Sequence, residues 1–114
     1  MGLHVERLGD VAVVMPSGML RGGKETDELR NVLRKLIYDG QKKILLDLAK
    51  TSHLTSIAIG VLAEVHASAA NKKLYFCVCN IEERIENVLV QIKLLNMLNV
   101  YDSRPDALAA MGKL

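Results

Sequence analysis

The stretch from Lys43 to Gly60 constrains the fold most, because it joins a short apolar run to a long apolar segment through a polar turn. The apolar run, Ile44–Leu48, is interrupted only by Asp47 and is too short for a stable helix. Such a run is typical of a parallel strand that is covered on both faces. The sequence therefore predicts a central buried strand.

A helix is predicted directly after the turn. Thr55 and Ser56 are residue types that favour helix N-caps, and the following segment, IAIGVLAEVHASAA, is rich in Ala and aliphatic residues and lacks Pro. Either hydroxyl residue would then lie at a helix N-terminus. Unpaired backbone N–H groups and the positive end of the helix dipole favour an anion there, so this position is suited to a phosphoryl group.

These residues resemble the motif of the STAS family of anti-sigma-factor antagonists. In that family the helix opens with Asp-Ser-Ser-Gly-Leu-Gly-Val, and a partner kinase phosphorylates the Ser that follows the Asp. Ser56 stands at the acceptor position here, and Gly60, Val61 and Leu62 continue the match. Thr55, Ile57 and Ala58 stand where the family has the Asp, the second Ser and the first Gly.

The resemblance implies a single STAS-like (SpoIIAA-like) α/β domain over residues 1–114. The implied architecture is a mixed β-sheet with parallel central strands and about four helices mainly on one face. The implied function is regulation by binding an anti-sigma factor that resembles a serine kinase, with Ser56, or alternatively Thr55, as the phosphorylation site. The implied partner-binding residues are His53, Thr55, Ser56, Ile57, Ala58 and Gly60.

Two other interpretations keep this fold and change the function. A constitutive scaffold or transport-complex subunit would not need the Asp and Gly that this motif lacks. A small-ligand or lipid-binding module would need an apolar cavity. An enzyme is not predicted, because no nucleophile, base and orienting acid occur at recognisable spacing and no glycine-rich cofactor fingerprint follows a strand. No cofactor is expected either.

The remaining segments predict the elements around the central strand. Alternation and apolar runs predict strands, and apolar residues three and four positions apart predict helices. The predicted elements are a hairpin of Leu3–Leu8 and Val11–Met15 that ends at Pro16-Ser17-Gly18, a helix over Glu25–Tyr38, a strand over Lys73–Cys79, a helix over Ile81–Leu95, an edge strand over Leu98–Tyr101 and a short last helix after Ser103. Leu46, Leu62, Cys77 and Leu89 are predicted to be buried.

The two cysteines lie close together on a predicted strand. Cys77 and Cys79 would point to the same face about 7 Å apart, which is unsuitable for a mutual disulfide. They are interpreted as small buried apolar residues in a reducing compartment. The alternative is a metal site, which would need ligands from the distant His4, His53 or His66. Two cysteines without a second pair at zinc spacing do not indicate such a site, and no metal is predicted.

Composition restricts the classes of partner. The formal net charge is only +2, and the basic residues do not form a stripe interleaved with aromatic residues, so nucleic acid is not an expected partner. No apolar run approaches the roughly 18 residues that a membrane-spanning helix needs. A cytoplasmic protein without membrane insertion is expected, with a protein as its partner. A homodimer is compatible with the sequence, which does not determine the oligomeric state.

Overall fold

The computed structural model describes residues 2–82 and 96–113. In chain order the elements are β1 (Leu3–Leu8), β2 (Val11–Pro16), β3 (Gly18–Leu20), α1 (Lys24–Tyr38), β4 (Lys43–Asp47), β5 (Thr51–Leu54), α2 (Ser56–Asn71), β6 (Tyr75–Cys79), β7 (Asn99–Tyr101) and α3 (Arg104–Met111). No helix within the described residues is long and apolar enough to cross a membrane.

A five-stranded sheet in the order β1-β2-β4-β6-β7 forms the centre of the described structure. Strand β1 pairs antiparallel with β2, and the other neighbouring strands pair in parallel. The register places Leu45 of β4 between Val13 of β2 and Cys77 of β6. This mixed sheet with parallel central strands confirms the predicted fold class.

Alternate residues of the central strands enter two different cores. The larger core packs one face of the sheet against α1 and α2, and it contains Val14, Leu46, Phe76, Leu33 and Leu62 among others. The smaller core packs the opposite face against α3, and its members are Val11, Val13, Leu45, Cys77, Cys79, Ala107 and Met111. Two of the three helices in the described residues therefore share one face, as predicted.

Three of the four residues predicted to be buried can be located. Leu46, Leu62 and Cys77 have no solvent exposure, which confirms the prediction for them. Leu89 and most of the predicted helix over Ile81–Leu95 lie outside the described residues. The last helix begins after Ser103 as predicted, because the Ser103 hydroxyl accepts a hydrogen bond from the Asp106 backbone N–H at 3.2 Å.

A second sheet, made of β3 and β5 in parallel, corrects the prediction of a polar turn before α2. His53 therefore lies on a strand, and the chain after Pro16 continues into β3. These strands have three and four residues, too few to show a periodic pattern in the sequence. Their hydrogen bonds join segments that are far apart along the chain, which local sequence preferences do not reveal.

The only charged residue of the central run is buried and fully paired. Asp47 is 2% exposed and accepts hydrogen bonds from the Arg104 Nε at 2.9 Å, the Asn80 side-chain amide at 3.0 Å and the Ala49 backbone N–H at 2.9 Å. Arg104 also pairs with Glu6 of β1. A buried carboxylate is tolerated when it is paired and hydrogen-bonded. Because Arg104 belongs to α3 and its two partners belong to β1 and β4, these ion pairs connect α3 to the sheet.

Both cysteine thiols are free and buried, on the face that α3 covers. Burial raises the pKa of each thiol to about 12, and for Cys79 the Asp47 carboxylate adds to the effect. The Cys77 Sγ lies 3.8 Å from the Met111 Sδ, in an apolar setting. The structure places both residues as packed core groups.

Truncation of Leu46 to Ala should lower the free energy of unfolding by about 2–5 kcal/mol, because it leaves a cavity in the larger core. Leu8, which is 39% exposed on β1, provides the matched control. Leu8→Ala should cost less than about 1 kcal/mol. Urea unfolding followed by circular dichroism measures both values. Equal losses for the two variants would contradict the central position of β4.

Native Cys77 and Cys79 should resist a thiol reagent at pH 8 and react with it after denaturation, because the buried thiols stay protonated. Folding raises each pKa from its ordinary value of 9.0. The stabilisation that each thiol contributes is therefore complete below pH 9 and is lost as the pH rises towards 12. Rapid stoichiometric labelling of the native protein would contradict this, and a Cys77→Ala/Cys79→Ala variant should show a weaker alkaline loss of stability.

Candidate functional site

Thr55 is the N-cap of α2. Its hydroxyl accepts a hydrogen bond from the Ala58 backbone N–H at 3.3 Å, and its carbonyl accepts the first helical bond from the Ile59 N–H at 3.0 Å. On the other side, the Thr55 N–H donates to the Leu20 carbonyl of β3 at 3.0 Å. The capping residue is thus held by both the helix and the small sheet, and its hydroxyl is already in use.

Ser56 is the first residue of α2 and is exposed. Its hydroxyl makes no hydrogen bond with another described residue, in contrast to that of Thr55. The backbone N–H groups of Ser56 and Ile57 precede the first intrahelical bond and donate to no other described residue, so they can meet an anion. The first turn of α2 also carries no acidic side chain, so nothing in that turn would repel a negative group or already compensate the dipole.

Ile57 presents an apolar side chain next to Ser56. It is 61% exposed, and its buried part packs against the loop that follows β3. A Cβ atom at Gly22 would lie 2.8 Å from the Ile57 Cγ2, and Gly22 has a φ of +92°, so only glycine fits there without movement. The loop is further held by a 2.8 Å hydrogen bond from the Gly22 N–H to the Thr26 hydroxyl.

Ile57 is among the predicted site residues, but Gly22, which contacts it, is not. The signal that points to it is the pair of consecutive glycines, which indicates a loop but does not show what the loop packs against. The exposed Arg21 lies between Leu20, which bonds to Thr55, and Gly22, which contacts Ile57. The Arg21 guanidinium itself donates a hydrogen bond to the Met19 Sδ at 2.7 Å.

The remaining predicted site residues divide into exposed and buried positions. His53 is exposed on β5, and Gly60 is exposed one helical turn after Ser56. No atom lies within 4 Å of the point that a Cβ at Gly60 would occupy. Ala58 is 1% exposed and belongs to the larger core, so its side chain is not available to a partner. We refer to His53, Ser56, Ile57 and Gly60 as the α2 N-terminal surface.

The three histidines proposed as alternative metal ligands lie on separate elements, His4 on β1, His53 on β5 and His66 on α2. Within residues 2–82 and 96–113, no three His, Cys, Asp or Glu residues come together as a set that could hold a metal ion. The chemistry that the described site offers is a free hydroxyl at a helix N-terminus beside an exposed apolar side chain.

Comparisons with known proteins identify similar sequences and structures. The chain is 29% identical over 105 residues to a Thermotoga neapolitana protein called "Putative anti-sigma factor antagonist TM1081 homolog". The aligned region covers 87% of this chain and 88% of that protein. The crystal structure of the Thermotoga maritima protein TM1081 superimposes with a TM-score of 0.82 at 22% identity, over 95% of this chain and 92% of the other.

The phosphorylated form of the Bacillus cell fate determinant SpoIIAA superimposes with a TM-score of 0.73 at 14% identity, over 96% of this chain and 99% of the other. At this level of identity the similarity to both solved structures shows a shared fold. The family model of the STAS domain matches residues 3–107, which is most of the chain. This protein therefore belongs to the STAS domain family, as a member that resembles the anti-sigma factor antagonists.

Proposed function

We propose that this protein is a regulatory binding module that binds a kinase-like anti-sigma factor through the α2 N-terminal surface and is released by phosphorylation of Ser56. The observation that carries the proposal is the difference between two neighbouring hydroxyls. Thr55 uses its hydroxyl to cap α2, whereas Ser56 is exposed and forms no hydrogen bond with a described residue. Ser56 is thus the better phosphoryl acceptor, and Thr55 is the alternative.

The helix N-terminus supports the phosphorylated state of the protein itself. A phosphoryl group adds about −1.5 to −2 charges at neutral pH. The N–H groups of Ser56 and Ile57 and the positive end of the α2 dipole stabilise this charge. Modification is therefore compatible with the folded state.

The same charge would weaken a complex. The Ile57 side chain is 61% exposed in the free protein. A partner that covers it therefore also removes water from the neighbouring residues of the first turn of α2. Burial of a phosphoryl group beside an apolar contact carries a large desolvation penalty, and any acidic group of the partner adds repulsion. Phosphorylation at Ser56 thus favours the free protein over the complex.

Gly60 supports a close contact at this surface. A glycine inside a helix is less stable than an alanine by about 0.5–1 kcal/mol. No described atom approaches the position of its absent Cβ, so internal packing does not require a glycine there. A partner that lies directly on the α2 backbone would require it, and Gly60 is one turn from Ser56 on the same side of the helix.

The name of one relative and the phosphorylated form of another support the same function. The matching Thermotoga neapolitana protein carries the name of an anti-sigma factor antagonist, and the Bacillus protein has been solved in a phosphorylated form. In this chain Thr55, Ile57 and Ala58 differ from the usual motif around the phosphorylated serine. Since Thr55 supplies the cap and Ala58 packs in the core, two of the three differences leave the helix N-terminus intact.

Ser56→Asp should weaken binding to the cognate anti-sigma factor by about tenfold or more, because it places a charge in the interface. Ser56→Ala should bind like wild type but accept no phosphate. Ser68, exposed further along α2, provides the matched control, and Ser68→Asp should leave binding unchanged. Titration calorimetry with the kinase-like protein encoded nearest the gene measures the affinities, and mass spectrometry after incubation with ATP locates the phosphate.

Two results together would overturn the switch. These are wild-type affinity for Ser56→Asp and no phosphate on Ser56 or Thr55. A partner that binds equally well in all variants would instead identify the protein as a constitutive scaffold or transport-complex subunit.

Gly60→Ala should raise the free energy of unfolding by about 0.5–1 kcal/mol, because alanine is the better helix former and the added methyl meets no described atom. Gly60→Leu should remain folded but lose affinity for the partner by about tenfold, since the larger side chain keeps the partner off the helix. Ser68→Leu, at an exposed position of the same helix, serves as the control and should bind normally. Unchanged binding of Gly60→Leu would exclude Gly60 from the interface.

A further inference from the structure

Lys42 and Lys43 meet Lys73 at the edge of the sheet opposite to Ser56, while the Nζ of the neighbouring Lys72 lies 5.6 Å from the centre of the Tyr38 ring. Lys42 and Lys43 lie at the start of β4, and Lys72 and Lys73 precede β6. The parallel register pairs Lys43 with Tyr75, and the Tyr75 N–H donates to the Lys42 carbonyl at 2.9 Å. Adjacent parallel strands begin at the same edge of a sheet, so pairs that are about thirty residues apart in the chain are brought together.

A surface cavity of about 330 Å³ lies between these segments, and its lining consists of Lys42, Lys43, Lys73, Leu74 and Tyr75. Leu74 is 9% exposed and packs into the larger core. The Tyr75 hydroxyl is engaged in a 2.5 Å hydrogen bond with the Tyr101 hydroxyl. Leu74 and Tyr75 therefore contribute mainly apolar surface to the cavity. The lysines contribute its positive charges.

The three lysines of the lining differ in their charge partners. The Lys43 Nζ lies 2.9 Å from the Asp10 Oδ2, and this hydrogen bond lowers the pKa of the Asp10 carboxyl. Lys42 and Lys73 are exposed, and neither forms an ion pair with another residue in the described ranges. Two ammonium groups without a described counter-charge thus stand beside an apolar surface, a combination that favours a ligand with both properties.

We propose that this cavity binds a small amphipathic anion, a molecule with a carboxylate or phosphate head and an apolar body. Lys42 and Lys73 hold the head by charge-assisted hydrogen bonds, and Leu74 and Tyr75 contact the body. The volume is at the lower end of the range of about 300–1,000 Å³ for small-molecule sites, which fits a short chain or single ring. The proposal does not depend on the switch at Ser56, because the two sites lie at opposite edges of the sheet.

Whereas the lysine-lined cavity has two exposed lysines without an ion pair in the described residues, the larger surface cavity beside β1, of about 550 Å³, has one, Lys50. Its lining includes Glu6 and Arg104, which pair with each other, and Arg104 is also paired with Asp47. The charge of Arg104 is thus already compensated within the protein. The lysine-lined cavity is the better candidate for an anionic ligand.

The test uses octanoate and octyl phosphate as amphipathic anions, with acetate as the charge-only control and 1-octanol as the apolar-only control. Amide chemical shifts of the full chain, recorded during titration, report both the affinity and the place of binding. We expect saturable shifts at residues 42–43 and 73–75 for at least one amphipathic anion. Acetate and 1-octanol should bind at least about tenfold more weakly.

A pair of matched double variants tests the role of the lysines. Lys42→Ala/Lys73→Ala should weaken binding of the amphipathic anion by about tenfold or more, because both head-group contacts are lost. Lys24→Ala/Lys50→Ala removes the same charge away from the cavity and should change the affinity by less than about twofold. Circular dichroism verifies that both variants are folded.

Several results would overturn the proposal. These are absence of binding by both amphipathic anions, equal binding of 1-octanol or acetate, shifts centred away from residues 42–43 and 73–75, or equal affinity in the two double variants. Anionic vesicles provide a further arm. If the chain binds vesicles through Lys42 and Lys73 but binds neither octanoate nor octyl phosphate, the lysines form a membrane-contact patch and the small-ligand site is excluded.

Discussion

Burial of β4 on both faces is the constraint on which the rest of the structure depends. Ile44, Leu45 and Leu46 have no solvent exposure, and β4 has a strand on each side, so the layers above and below must also exclude water. Helices α1 and α2 cover one face and α3 covers the other. Asp47, at the end of the same strand, is buried with a compensating charge from Arg104 of α3 and with hydrogen bonds from Asn80 and the Ala49 N–H.

The positions of both proposed sites follow from this strand order. Parallel strands require a crossover helix, so α2 begins at the carboxyl edge of β4 and its chain returns to the amino edge at β6. The small β3–β5 sheet then holds Thr55, the residue before Ser56, through a hydrogen bond to the Leu20 carbonyl. At the other edge, the same register collects the lysines of two segments around one cavity.

The strongly patterned elements could be predicted from the sequence. The apolar run of β4, the mixed aromatic and branched residues of β6 and the amphipathic stripe of α1 identify their element types through local preference. The start of α2 at Thr55 and Ser56 is also visible, but either hydroxyl satisfies the sequence pattern. Only the position of the Thr55 Oγ1 against the Ala58 N–H separates the cap from the free hydroxyl.

The sequence by itself determined the α/β class, the central strand and the hydroxyl residues at the start of a helix, because these depend on periodicity and capping among near neighbours in the chain. Tertiary structure decided the β3–β5 pairing, the contact of Gly22 with Ile57 and the cavity formed by Lys42 and Lys73. These features join residues that are far apart along the chain. Their contacts are set by strand register and core packing, which local preferences do not encode.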